Sequence, residues 1–185
     1  GAQAMLRRLA DASVNPVVAR LGHAIPDPSM FPQAALRASQ LRVLRRHPQL
    51  LSTYPMRMGG SEALRTQIAA LYARIGTPLA AENLLITNGC MEALTLAIRA
   101  VASPGDTIAI ESPVYFGFLQ LAENLGVKLL EIPMDAREGL VIESLAELLQ
   151  ARGGRNVRAV LTIPNFSNPT GSLMPVARKR ALVAL

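Results

Sequence analysis

The chain has 185 residues and a mass of 19.8 kDa, which is enough for one domain with a hydrophobic core. Half of its residues are apolar, which excludes a disordered or low-complexity chain. No apolar run approaches the roughly 18 residues that span a bilayer, no signal peptide is visible, and the single cysteine can form no internal disulfide, so the cytoplasm is the expected compartment.

The net charge of +6 is concentrated in the first third of the chain. Residues 1–60 contain eight arginines and two aspartates, whereas acidic and basic residues balance in the remainder. The simplest interpretation is a solvated helix face around Arg37, Arg42, Arg45 and Arg46. A nucleic-acid surface or a contact with a partner subunit is the alternative, but no interleaved aromatic residues, helix-turn-helix pattern or zinc pattern supports nucleic-acid binding.

The first 60 residues are predicted to form an N-terminal helical arm. An amphipathic stretch over 5–20 is followed by an extended segment with three prolines over 21–32. Helical spacing of leucines predicts a helix over 33–46, and a loop follows over 47–60. We therefore divide the chain into an arm and helix, residues 1–60, and a larger domain, residues 61–185.

The larger domain begins with a helix that Ser61 caps and Gly76 ends. Strands and helices then alternate. The predicted strands are 84–88, 107–111, 127–133 and 158–164, and the predicted helices are 89–102, 114–125, 140–151 and 175–185. This alternation predicts an α/β fold with a mostly parallel sheet flanked by helices. Because the chain starts without Met and stops inside the last helix, we expect it to be part of a longer protein.

Three loops that follow strand ends carry the candidate binding residues. Gly89 permits a tight turn, after which the N–H groups of Cys90 and Met91 at a helix start can bind a phosphate. Tyr115 can stack on a flat ligand, and Asn168 offers both a donor and an acceptor in a loop stiffened by proline and glycine. Each feature also has a plain structural interpretation, as a packing turn, a core tyrosine or an ordinary turn.

Cys90 itself is interpreted as a small residue that fills the turn. A thiol at a helix start can be reactive. However, neither His23 nor His47 lies in a recognisable Cys-His motif with it.

Three motifs of the sequence resemble those of a known family. TNGCMEAL (87–94), ESPVYFG (111–117) and PNFSNPTG (164–171) occur in this order, with the turn PGD (104–106) between the first two. They resemble the large domain of fold-type I, pyridoxal 5′-phosphate (PLP) dependent enzymes of the class I/II aminotransferase group. IPDPSMFP (25–32), YPMRMGGSEALRTQIA (54–69) and NPTGSLMPVARKRAL (168–182) narrow the resemblance to the aminotransferase-like domain of MocR-group, GntR-family transcriptional regulators. The chain resembles the N-terminal half of that domain, from about Leu21 onward.

The resemblance implies a role for each candidate residue. The backbone of Gly89, Cys90 and Met91 would hold the cofactor phosphate. Tyr115 would stack on the pyridine ring, and Asn168 would bind the ring hydroxyl oxygen. Tyr54 matches a tyrosine that reaches the phosphate of the neighbouring subunit, which implies a homodimer. Within the arm, residues 23–26 would border the substrate side of the cofactor site. Ala24 stands where relatives often have glycine.

The residues that would perform catalysis are missing from this segment. The chain has two lysines, Lys128 and Lys179, and neither lies in the Ser-x-x-Lys context of the family's Schiff-base lysine. The resemblance places that lysine, the acidic partner of the pyridine nitrogen and the substrate-binding arginine downstream of Leu185, and a winged-helix DNA-binding domain upstream of Gly1. We therefore predict no catalytic residue and no metal site here, and no transamination by this chain alone.

Three functions remain in competition. The first is an effector domain that senses PLP or a small amino compound and binds DNA only through an upstream domain, with no membrane involvement. The second is part of a free-standing class I/II aminotransferase. The third, a binder of another phosphate ligand, ranks last because GxGxxG and GxxxxGK[ST] are absent.

Overall fold

The computed structural model describes residues 26–54, 58–151 and 156–185, together with the isolated positions Ala4, Arg7, Arg8, Asp11 and Val14. The predicted amphipathic stretch over 5–20 and the start of the arm over 21–25 fall almost entirely outside the described residues. Two compact units are found within the chain, Met5–Thr87 and Asn88–Leu185. The functional division predicted at residue 60 stays a prediction.

The first unit is helical where it is described. It contains α1 (Gln33–Arg46) and α2 (Glu62–Arg74), with short 3-10 turns at Pro28–Met30, Pro48–Leu51 and Ala81–Asn83. Ser61 caps α2, since its hydroxyl accepts the N–H of Leu64 at 3.5 Å. Gly76 follows the helix end with a φ of +79°. The cap and the stop predicted for this helix are both confirmed.

The strand predicted over 84–88 is wrong. The segment is extended, and the Ile86 N–H donates to the Gly59 carbonyl at 3.0 Å, but no strand in the described part of the chain pairs with it. A strand requires a continuous ladder with a neighbour, which a local apolar pattern cannot provide. Gly60, at a φ of +88°, lies so close to Ile86 that a Cβ there would clash with the isoleucine side chain.

The second unit is built on a four-stranded sheet. The strands are β1 (Thr107–Ser112), β2 (Lys128–Asp135), β3 (Gly139–Leu140) and β4 (Val157–Leu161), in the order β3-β2-β1-β4. β1 is parallel to both β2 and β4, whereas β3 is antiparallel to β2. The prediction of a mostly parallel sheet is confirmed. The short β3 is not predicted from the sequence, and its Leu140 falls in the helix predicted over 140–151, because two residues are too few to show an alternating pattern.

Helices cover both faces of this sheet. They are α3 (Cys90–Val101), α4 (Phe116–Leu125), α5 (Ile142–Gln150) and α6 (Val176–Ala184). On one face, Ile108, Ile110 and Phe118 form a buried cluster with residues of α3 and α4. On the other face, Ala109 and Leu145 belong to a second cluster, which includes residues of α5. Burial on both faces explains why β1 reads as a continuous apolar run.

The parallel strands also determine where a ligand can bind. Because β1 and β4 run in the same direction, their carboxyl ends, at Ser112 and Leu161, lie at one edge of the sheet. In open α/β sheets this edge is the usual ligand-binding edge. No helix in the described ranges is long and apolar enough to cross a membrane.

Candidate functional site

A cleft of about 530 Å³ opens at the carboxyl edge of the sheet. All of its walls belong to the second unit. The lining residues are Asn88, Gly89, Cys90, Met91, Leu94, Val114, Tyr115, Phe118, Leu161, Thr162, Ile163 and Asn168. The structure therefore brings together five of the six residues predicted from the sequence, which come from three separate loops.

The start of α3 forms one wall of the cleft. Gly89 is the N-cap residue with a φ of +94°, a conformation that disfavours residues with a Cβ. The N–H groups of Cys90 and Met91 lie in the first helical turn, where no intrahelical acceptor exists and the helix dipole is positive. This wall can bind an anion through the backbone.

Glu92 is a neighbour of this wall that the sequence analysis did not identify. Its carboxyl group accepts the N–H of Asn88, one residue before the N-cap. An acidic residue at the third helical position is a known capping signal and could have been recognised. The contact ties the end of the preceding segment to the helix. It does not engage the N–H groups of Cys90 and Met91, which are the predicted donors to a phosphate.

Tyr115 lies at the junction between β1 and α4, as the N-cap residue of α4. Its ring is half-buried and lies 4.8 Å from the Phe116 ring, centroid to centroid, with an interplanar angle of 48°. The ring also covers Gly117, where a Cβ would fall well inside van der Waals distance of the tyrosine ring. Gly117 therefore leaves room for the aromatic ring that lines the cleft.

Asn168 is presented by a loop that the protein holds at several points. Asn165 and Leu173 form an antiparallel bridge across the loop base. Within the loop, the Ser167 N–H donates to the Ser172 carbonyl at 3.1 Å, and the Ser167 carbonyl accepts the Gly171 N–H. Asn168 itself is exposed and reaches the cleft wall. Its amide is thus carried on an ordered backbone.

A buried acidic residue, Glu111, contacts the same loop. It is 0% exposed, and its Oε1 atom accepts the Ile163 N–H at 3.0 Å and the Thr162 hydroxyl. Its Oε2 atom accepts the Ser167 hydroxyl at 3.4 Å. Glu111 belongs to the motif ESPVYFG, but no role is predicted for it from the sequence. An acidic residue at the end of an apolar strand is the signal that could have identified it.

Tyr54 is the one predicted site residue outside the cleft. It belongs to the first compact unit, and 91% of its surface is exposed. Of the arm predicted at the substrate side, residues 23–25 lie outside the described part of the chain and Pro26 is exposed. The roles of Tyr54 and of the arm stay predictions.

The chemistry of the cleft is that of a binding surface. Its lining includes no lysine or arginine, so an anion in the cleft would be neutralised by backbone N–H groups and the helix dipole. The carboxyl groups with lowered pKa values, Asp27, Asp106 and Asp135, are not among the lining residues. No cluster of metal-ligating side chains is found among the described residues.

Solved structures with this fold are PLP-type aminotransferases. An archaeal alanine:glyoxylate aminotransferase superposes with a TM-score of 0.84 at 28% identity, over 100% of this chain and 46% of that protein. The α-aminoadipate aminotransferase LysN from Thermus thermophilus gives a TM-score of 0.73 at 32% identity, over 88% of this chain and 39% of that protein. The LysN structure contains N-(5′-phosphopyridoxyl)-L-leucine, in agreement with PLP as the cofactor of the family.

The chain belongs to the aminotransferase class I and II family, whose sequence model matches residues 26–185. It is also similar to the uncharacterized HTH-type transcriptional regulator YjiR of Escherichia coli K12, with 36% identity over 98% of this chain. The resemblance to regulators of this type, inferred from the sequence motifs, is thereby confirmed. The chain spans 37% of the length of YjiR and less than half of the two aminotransferases.

Proposed function

We propose that this chain is part of the PLP-binding, aminotransferase-like effector domain of a GntR/MocR-type transcriptional regulator. The observation that carries the proposal is the convergence of Gly89–Met91, Tyr115 and Asn168 on one cleft. The similarity to a helix-turn-helix regulator over nearly the whole chain supports the regulatory role.

The cleft suits PLP in size and in donor set. Its volume of about 530 Å³ lies within the roughly 300–1,000 Å³ range typical of small-ligand pockets. The N–H groups of Cys90 and Met91 would bind the phosphate, and the Tyr115 ring would stack on the pyridine ring. The Asn168 amide would donate to the ring hydroxyl oxygen. The chemistry supplied by the bound cofactor is electron withdrawal from an attached amino compound.

The residues of this chain would bind and orient the cofactor, and would not themselves move protons. The lysine that binds the cofactor covalently is expected in another part of the protein, as is the DNA-binding domain. Tyr54 would contact the phosphate bound by a second subunit, so the complete site would require a homodimer. For PLP or an amino compound to regulate DNA binding, it must bind two domain arrangements with unequal affinity.

The first test is a PLP titration of the full-length protein, followed by absorbance. We expect Tyr115→Ala to lower the affinity for PLP about two- to tenfold through loss of a ring contact. Asn168→Ala should lower it at least about tenfold through loss of a hydrogen bond to a charged group. The matched controls are Tyr72→Ala and Asn124→Ala, whose side chains are exposed and do not line the cleft. Equal affinity in all five proteins would contradict the proposed site.

The regulatory role is tested separately from cofactor binding. DNA binding by the full-length protein should change when PLP is added, and this change should disappear in the Tyr115→Ala, Asn168→Ala double variant. A response to PLP that survives the double variant would count against the proposed mechanism. A nucleotide in place of PLP should produce no absorbance change.

The second candidate function is a free-standing aminotransferase, because the solved structures with this fold are aminotransferases. Multiple-turnover transamination by the full-length protein, with no PLP-dependent DNA binding, would favour it. This chain alone should show no turnover under the same conditions.

A further inference from the structure

The most unusual side chain near the cleft is Glu111. It occupies the fifth position of β1, after three buried apolar residues, and is itself completely buried. A buried polar group is destabilising unless hydrogen bonds replace its hydration. Glu111 obtains these hydrogen bonds from a segment about fifty residues later in the chain, so its burial depends on that segment.

The three donors to Glu111 occupy two places along one segment. Thr162 and Ile163 follow directly on the end of β4 and themselves line the cleft. Ser167 lies inside the loop over 164–171, immediately before Asn168. One oxygen atom of the carboxyl group therefore binds the two residues just before the loop, and the other binds a residue in the middle of the loop.

Glu111 is also close in sequence to the other ligand-binding loop. Tyr115 follows it by four residues, at the start of α4. The carboxyl group consequently connects the strand that leads to Tyr115 with the loop that presents Asn168. An apolar side chain could fill the same space but could not accept hydrogen bonds from these donors, of which Ser167 is buried and Thr162 and Ile163 are half-buried.

We propose that Glu111 is the positioning residue that holds the loop over 164–171, and with it the Asn168 amide, against the cleft. The inference rests on the proposed function only for the identity of the ligand. The hydrogen bonds predict the order of the loop whether or not PLP binds.

The experiment uses the full-length protein and four substitutions: Glu111→Ala, Glu111→Gln, Ser167→Ala and Glu131→Ala. Two quantities are measured in each: amide hydrogen exchange over residues 162–173 without cofactor, and the dissociation constant for PLP. Glu131→Ala is the matched control. The Glu131 carboxyl group accepts the Ser112 hydroxyl at 2.8 Å at the same sheet edge, but it is exposed and no hydrogen bond joins it to the loop.

We expect Glu111→Ala to accelerate exchange in the loop and to weaken PLP binding at least about tenfold, as expected for loss of a hydrogen-bonded buried group. Ser167→Ala should act in the same direction with a smaller effect. Glu111→Gln should restore most of the affinity, because its amide oxygen still accepts from Thr162 and Ile163, and the Ser167 hydroxyl can rotate to accept from its amide nitrogen. Glu131→Ala should leave exchange in the loop unchanged.

The proposal would be overturned if the loop exchanged at the wild-type rate in both Glu111→Ala and Ser167→Ala. It would also be overturned if Glu131→Ala accelerated exchange in the loop as much as Glu111→Ala does. If Glu111→Ala does not fold, Ser167→Ala decides the outcome. Failure of the wild-type protein to bind PLP would contradict the proposed function, and the exchange measurement would still test Glu111. If Glu111→Ala accelerates exchange in the loop but binds PLP with wild-type affinity, Glu111 orders the loop without contributing to PLP binding. That outcome would also overturn the proposal.

Discussion

The two compact units of this chain differ sharply in how they use apolar residues. In the unit Asn88–Leu185, core residues of β1, α4 and α5 such as Ile110, Phe118 and Leu145 are almost completely buried. In the unit Met5–Thr87, the described helices α1 and α2 expose most of theirs; Leu71, for example, is 58% exposed. The helices of both units begin and end where local sequence signals predict, so local signals suffice for a helix and are insufficient for a core.

The same difference separates the predicted ligand-binding residues. In the cleft, Tyr115 and Asn168 lie in loops that follow strands β1 and β4 of the buried sheet. Tyr54 extends from an exposed segment of the other unit. A side chain that follows a strand of a buried sheet keeps a precise position more easily than one on an exposed segment.

The largest effect is expected from a matched pair of leucines on helices of the two units. Leu145 is 1% exposed, whereas Leu71 is 58% exposed. Leu145→Ala should lower the free energy of unfolding by about 2–5 kcal/mol, because it creates a cavity in the core. Leu71→Ala should change it by about 0.5 kcal/mol or less. Urea unfolding measures both, and similar losses for the two variants would contradict the contrast.

Tyr54 offers the sharpest test of whether the exposed unit contributes to the cofactor site. Tyr54→Phe keeps the ring and removes only the hydroxyl group. If this hydroxyl binds the phosphate of a partner subunit, PLP affinity should fall by about 1.5–3 kcal/mol, the contribution of a hydrogen bond to a charged group. Tyr72→Phe, a substitution in the same unit, is the control. Unchanged affinity in the dimeric Tyr54→Phe protein would confine the phosphate site to the cleft-bearing unit.

Gly117→Ala should separate ligand binding from stability within the buried unit. The added methyl group must displace the Tyr115 ring. The free energy of PLP binding should therefore weaken by about 0.5–1.5 kcal/mol, which is the contribution of aromatic stacking. Gly117 lies in the first turn of α4, so the helix itself should gain less than the about 1 kcal/mol by which alanine is favoured over glycine in a helix interior. Calorimetry and a PLP titration on the same samples test this. Lowered stability with normal affinity would show that the ring is not displaced from the cleft.

The smallest effect concerns the turn between β2 and β3. The backbone N–H of Glu138, followed by that of Arg137, donates to the Asp135 carboxylate and lowers its pKa below the ordinary value of 3.8. A lowered pKa in the folded protein means that the stabilisation is present above the ordinary value and is lost as the pH falls through the folded-state pKa. The stability difference between the wild-type protein and Asp135→Asn should therefore shrink below about pH 4. Thermal unfolding from about pH 2.5 to 7 measures it, and a difference independent of pH would contradict this assignment.

By itself, the sequence determined most of the alternation of helices and strands, the cap at Ser61, the stop at Gly76, and the candidate residues of the cleft. These depend on contacts within a few residues, or on motifs that specify a turn, and such signals are readable along the chain.

Only the tertiary structure decided the rest. It kept residues 84–88 out of the described sheet, paired the two-residue β3 with β2, and directed the donors of Thr162, Ile163 and Ser167 to the buried carboxyl group of Glu111. The physical reason is the same in each case. A strand and a buried acid are stable only through hydrogen-bonding partners that are distant in the chain, and no local pattern of residues specifies where those partners will lie.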